Sequence, residues 1–210
     1  MKYIFINPVV DKMYKREGLD SVLLHNGYSR IEVKEDWHSI VKEKYNELLK
    51  ETNLTVIDKR CPKAIDLITP YLDNEKMLVP SIDPILIHCA VELANREDLK
   101  NLKKVITTPC DSLADYGNKM GLEDTEFISW KRFLEKLNIE GKLELNTLEA
   151  SPIPPGYFKS LDAKVTSLSE EENIENHFKN ELYLKDDLVE MLYCFNGCHN
   201  GDGVLINEQE

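Results

Sequence analysis

Short apolar runs alternate along this chain with longer segments in which apolar residues recur every three or four positions. The short runs at 3–6, 30–33, 54–57 and 77–79 read as strands, and a second set follows at 105–107, 126–128, 163–168 and 188–193. Helical spacing covers 19–24, 37–50, 62–72, 84–95, 112–120, 130–137 and 170–181. In 37–50 it gathers Trp37, Ile40, Val41, Tyr45, Leu48 and Leu49 on one face, the stripe a helix lays on a sheet. The expected fold class is α/β, with two lobes that are each a mainly parallel, roughly four-stranded sheet flanked by helices. The lobes are expected over 1–100 and 101–210. Pro152, Pro154 and Pro155 exclude helix interior from 149–157, so that segment should be a surface or site-lining loop outside both sheets.

Composition narrows the function classes. With 210 residues, 42% of them hydrophobic, the chain can bury a substantial core. A net charge of −12 argues against broad attraction to nucleic acid or to an anionic membrane. No apolar run approaches the ~20 residues of a membrane span, and the first strand lacks the features of a secretory signal. A cytoplasmic protein is therefore expected. Its five cysteines, an odd number, argue against a disulfide framework and permit metal ligation.

Three cysteines fall at strand ends. Cys61 follows the run 54–57 and precedes Pro62, a good first helical residue. Cys110 follows 105–107, and Cys194 follows 188–193. Parallel α/β sheets place ligand sites beyond the carboxyl ends of their strands. Cys198 joins them through Cys194-Phe195-Asn196-Gly197-Cys198-His199-Asn200-Gly201-Asp202-Gly203, whose glycines let backbone approach a bulky inorganic group. Two other readings stand beside an iron–sulfur cluster. Cysteines are often buried as small hydrophobes, and four thiolates also suit zinc, although zinc sites favour close pairs. Cys89, amid Ile85, Leu86, Ile87, Ala90 and Val91, fits the core reading and is left out of the ligand set.

At these residues the chain resembles the catalytic domain of iron-only hydrogenases and their non-catalytic relatives. The family's signatures run Thr-Ser-Cys-Cys-Pro, Met-Pro-Cys-x-x-Lys-x-x-Glu and Glu-x-Met-Ala-Cys-x-x-Gly-Cys-x-x-Gly-Gly-Gly-x-Pro. Lys59-Arg60-Cys61-Pro62 is similar to the first and Thr108-Pro109-Cys110 to the second. The stretch from Glu190 to Gly203 is similar to the third, and Asn7-Pro8 stands where the family's Ala-Pro opens the domain. The resemblance covers nearly the whole chain. It implies that Cys61, Cys110, Cys194 and Cys198 ligate one 4Fe–4S cluster, meeting where the two lobes meet.

The surroundings of the family's diiron unit have changed. Arg60 replaces the proton-delivering cysteine and stays charged. Leu113 replaces the lysine that holds a cyanide ligand, and Tyr116 the glutamate after it. Thr108 and Leu192 replace pocket methionines, Tyr193 the small alanine and Asp202 the middle glycine; Leu205 stands where a proline is expected. This pattern implies a cluster-binding relative acting in electron transfer or redox sensing. An active hydrogenase and an α/β interaction module with zinc or a lost cluster are the alternatives. No ferredoxin-like cysteine cluster precedes Met1, so electrons are expected from a redox partner such as a ferredoxin or ferredoxin-like domain. The chain ends seven residues after Gly203, as a short form or a fragment would.

Arg60, Pro109, Gly197, His199 and Gly201 are the candidates for the cluster environment. Arg60 would offset cluster charge or else sit exposed, and His199 would tune the cluster or else sit solvated. His25, His38, His88 and His177 show no ligand spacing.

Overall fold

A computed structural model describes residues 1–139 and 143–204; Leu205 lies outside them. In chain order the elements are β1 (Lys2–Phe5), α1 (Pro8–Met13), α2 (Arg16–His25), β2 (Tyr28–Arg30), α3 (Trp37–Glu51), β3 (Thr55–Ile57), α4 (Pro62–Ile68) and β4 (Met77–Leu78). There follow α5 (Ile85–Asn95), β5 (Lys104–Thr108), α6 (Asp111–Lys119), β6 (Thr125–Ser129), α7 (Trp130–Leu137), β7 (Val165–Ser169), α8 (Glu171–Lys179) and β8 (Leu188–Leu192). Each expected strand has a counterpart with ends shifted by at most two residues, except β2, which ends three residues before the expected Val33 and shares only Arg30 with the expected run. Helix α1 was not expected, since the helical spacing read from the sequence begins at residue 19. Asn7 instead caps a helix: its side-chain oxygen accepts from Val9 and Val10 N–H at 3.1 and 3.2 Å, and Pro8 takes the first helical position.

The strands form two four-stranded, all-parallel sheets flanked by helices, in the orders β2-β1-β5-β6 and β4-β3-β8-β7. This is the expected fold class, but the expected division at residue 100 is not the observed one. β1 pairs with β2 on one side and β5 on the other, while β3 pairs with β4 and β8. One compact unit therefore comprises Met1–Glu35, Leu86–Ile153 and the chain from Cys198; the other comprises Asp36–Ile85 and Pro154–Gly197. The reason is physical. A buried parallel strand is apolar on both faces, so its side-chain pattern does not specify its neighbour.

In the first unit Ile4, Val9, Val10, Leu19, Leu23, Trp130, Phe133 and Leu134 form the main cluster. Trp130 satisfies its indole N–H on the Tyr14 hydroxyl at 3.1 Å. In the second unit strand alternation loads both faces of the sheet. Val56 and Leu188 meet Val41 and Tyr45 of α3. Ile57 and Val189 meet Ala64 and Ile68 of α4 and Ile174 and Phe178 of α8. The proline-rich 149–157 segment lies outside both sheets, as expected.

Candidate functional site

In the first unit, Cys110 leaves β5 in extended conformation (φ −154°, ψ 160°) and caps α6, its Sγ accepting the Leu113 N–H at 3.4 Å. The segment from Cys198 folds back beside it. Gly201 N–H donates to the Cys198 carbonyl, Asp111 N–H donates to Asp202 Oδ1 at 3.2 Å, and Lys131 N–H donates to the Gly203 carbonyl at 2.7 Å. One short turn thus supplies acceptors to the first turns of both α6 and α7. Cys198 N–H donates to the Ile153 carbonyl at 3.2 Å, so the proline-rich segment does line this place.

Two glycines permit the approach. A Cβ on Gly203 would stand 2.6 Å from Cys110 Cα and 2.8 Å from its nitrogen; one on Gly201 would stand 2.6 Å from the Pro109 carbonyl oxygen. These neighbours are backbone and have no rotamer by which to escape. Gly203→Ala is therefore expected to destabilise the first unit by about 1–3 kcal/mol, the range for overpacking. Denaturant titration of cluster-free protein measures this, and an unchanged midpoint would mean the turn does not press on Cys110.

In the second unit, Cys61 and Cys194 follow β3 and β8, which are neighbours paired in register at Ile57 and Val189. The two cysteines thus leave the carboxyl ends of adjacent parallel strands. Burial pushes the Cys61 thiol up from its ordinary value, while backbone N–H groups of Tyr193, Ala64 and Lys63 at its sulfur pull the other way. The turn after Cys194 runs through Asn196 (φ +53°) and Gly197 (φ +123°), a left-handed stretch that requires a glycine at its second place. Gly197 N–H donates to the Cys194 carbonyl.

Arg60 is neither exposed nor a lone cation. Only 7% of its side chain is accessible, and it pairs with two fully buried carboxylates, Asp58 at 2.8 Å and Glu190 at 2.7 Å. Its guanidinium lies over the Tyr157 ring at 4.0 Å and the Phe158 ring at 4.7 Å. Glu190 also accepts from Gly156 N–H, Tyr157 N–H and the Ser167 hydroxyl at 2.7–3.0 Å. Asp58 is pushed above its ordinary value by burial, against the pull of Arg60. Arg60 is thus engaged by two carboxylates. Offsetting cluster charge is not what its contacts serve.

The four candidate ligands divide two and two: Cys110 with Cys198 in one unit, Cys61 with Cys194 in the other. Among the described residues no group of three or more His, Cys, Asp or Glu side chains is placed to hold a metal ion.

No model of a known protein family matches the chain, and no curated protein matches it.

The remaining candidates have definite places. Cys89 is buried in α5, where desolvation pushes its thiol up to about 12; it belongs to the core, as expected. His199 sits in the one-turn helix Cys198–Asn200, where burial lowers its pKa from the ordinary value. His177 pairs with Asp186 at 3.1 Å, and His38 packs edge-on against Tyr157. Asp58, Ser129 and Asp202 carry contacts that their sequence positions did not reveal. Glu190 did carry a signal: a carboxylate inside the apolar strand Leu188-Val189-Glu190-Met191-Leu192 demands a buried cation.

Proposed function

We propose that Cys61, Cys110, Cys194 and Cys198 ligate a 4Fe–4S cluster and that the protein acts in electron transfer or redox sensing. The observation that carries this reading is the pairing of candidate thiolates at the carboxyl ends of parallel strands, with Cys61 and Cys110 sulfurs each meeting backbone N–H groups. Such donors are what cluster-bound thiolates need, because they offset the negative charge that four of them bring. Gly201 and Gly203 supply close backbone approach on one side and Gly197 a turn that bends back on the other. The order of the three signature-like segments supports the same reading. When bound, the cluster supplies one reversible electron step; the chain's own residues meet the Cys61 and Cys110 sulfurs with backbone N–H groups and hold the Glu190 strand against Gly156 and Tyr157.

Hydrogen chemistry is not part of the proposal. Arg60 is locked between two carboxylates and carries no transferable proton near neutral pH. Leu113 is buried and offers no cation to a cyanide. Tyr193 fills the place of a small residue, its ring under Lys63 Nζ at 4.1 Å and its hydroxyl bonded to Glu171. No described helix is long and apolar enough to cross a membrane. A cytoplasmic setting and a ferredoxin-like redox partner complete the proposal.

The test is anaerobic reconstitution with iron and sulfide. Cubane-type absorption and a reversible one-electron reduction are expected, without hydrogen evolution or uptake above background even after diiron maturation. Hydrogenase activity of the unmodified protein would overturn the non-catalytic reading, and failure to bind iron and sulfide would overturn the cluster itself.

A further inference from the structure

Three buried side-chain atoms around the Cys110 turn have no hydrogen-bond partner among the described residues: Asp111 Oδ1, Ser129 Oγ and His199 Nδ1. Ser129 is the most telling of them. It is only 1% accessible, ends β6 and occupies the residue before α7. A serine at that place ordinarily turns its oxygen to the helix and accepts an N–H from its first turn. Ser129 does not, since its side chain makes no capping bond and the Lys131 N–H goes to the Gly203 carbonyl instead. The hydroxyl is therefore left over at a crowded spot. A Cβ on Gly203 would stand 2.7 Å from Ser129 Cβ and 2.6 Å from Cys110 Cα, so Ser129 and Cys110 flank the same glycine. Register agrees, with Ser129 opposite Thr108, two residues before Cys110.

A buried hydroxyl without a partner is costly, so one that persists implies an acceptor that arrives. We infer that the Ser129 hydroxyl is a positioning donor to anionic sulfur at the Cys110–Cys198 half of the site, either a cysteine thiolate or a cluster sulfide. The inference rests on the cluster reading and extends it to a residue outside the three signature-like segments. A hydrogen bond to sulfur stabilises the reduced cluster more than the oxidised one, because the reduced form carries the additional negative charge. Ser129 therefore raises the reduction potential. The neighbouring carboxylates Asp111 and Asp202 act in the opposite sense, and Arg132, paired with Asp111 at 2.8 Å, moderates the first of them.

The experiment is a spectroscopically monitored redox titration of reconstituted full-length protein and its Ser129→Ala variant. At the wild-type midpoint, the reduced-to-oxidised ratio in Ser129→Ala is expected to fall about tenfold, equivalent to 59 mV for one electron. Ser129→Thr should retain the wild-type midpoint. Ser129→Val, which matches threonine in shape and lacks the hydroxyl, should reproduce the alanine shift; this pair decides the matter if the alanine variant fails to fold. A wild-type protein that binds no cluster overturns both the functional reading and this inference. Full cluster occupancy with equal midpoints in the hydroxyl-bearing and hydroxyl-free variants overturns this inference alone, and leaves Ser129 bonded to a buried water.

Discussion

Arg60→Met is expected to destabilise the second unit by about 3–5 kcal/mol, the cost of stranding buried charge. Arg60 is the cation paired with both Asp58 and Glu190, neither of which has any accessible side-chain surface. Methionine keeps much of the packing against Tyr157 and Phe158 and removes the charge, so the loss reports electrostatics more than volume. The contrast with an exposed pair is large. Lys15 and Glu144 are 60% and 71% accessible, and breaking that pair should cost no more than about 1 kcal/mol.

The deficit should also depend on pH, with a sign that follows from Asp58. Burial raises its pKa above the unfolded value, so the folded protein holds the proton more tightly and stability falls as pH rises from about 4 through the raised value. Arg60 is the main influence pulling that pKa down. Without it the window extends upward, and the variant should lose more stability at pH 8 than at pH 5. Urea titrations at the two pH values measure this. A deficit below about 1 kcal/mol at both would mean that the buried charges find another partner. Adding Glu190→Gln to Arg60→Met should recover part of the loss, because it removes one of the stranded carboxylates.

The second large effect concerns the thiolates. Cys61→Ser, Cys110→Ser, Cys194→Ser and Cys198→Ser should each reduce cluster retention by more than the roughly 10–100-fold that a supporting hydrogen bond contributes, because a hydroxyl is a hard, poor ligand for iron. Cys89→Ser should leave retention unchanged, since Cys89 lies within the packed helix α5. Iron and sulfide retained after gel filtration measure all five. Equal retention in Cys198→Ser and wild type would mean that the fourth ligand is another residue.

Strand ends were legible because Cys61, Cys110 and Cys194 each directly follow an apolar run or stand a few residues beyond it, and α3 because its stripe repeats through Trp37, Val41 and Tyr45. Helix α1 was not legible, since an Asn-Pro start needs Asn7 Oδ1 to be seen accepting from Val9 and Val10. Strand order was beyond local reading: β1 beside β5 and β3 beside β8 are pairings across about a hundred residues or more, set by the sheet rather than by local pattern. The placement of Arg60 shows the same limit. Its identity argued against proton transfer, while its burial depended on Glu190, a distant residue on another strand. Ser129 gave no signal at all, because its position before a helix reads as an ordinary cap.

The most direct test of the central claim is iron and acid-labile sulfide analysis of protein purified and reconstituted without oxygen. The account predicts about four of each per chain, together with a one-electron signal on reduction and loss of both in the Cys61→Ser, Cys110→Ser, Cys194→Ser and Cys198→Ser variants. Stoichiometric zinc without sulfide, or full retention of iron and sulfide when all four cysteines are replaced, would contradict it.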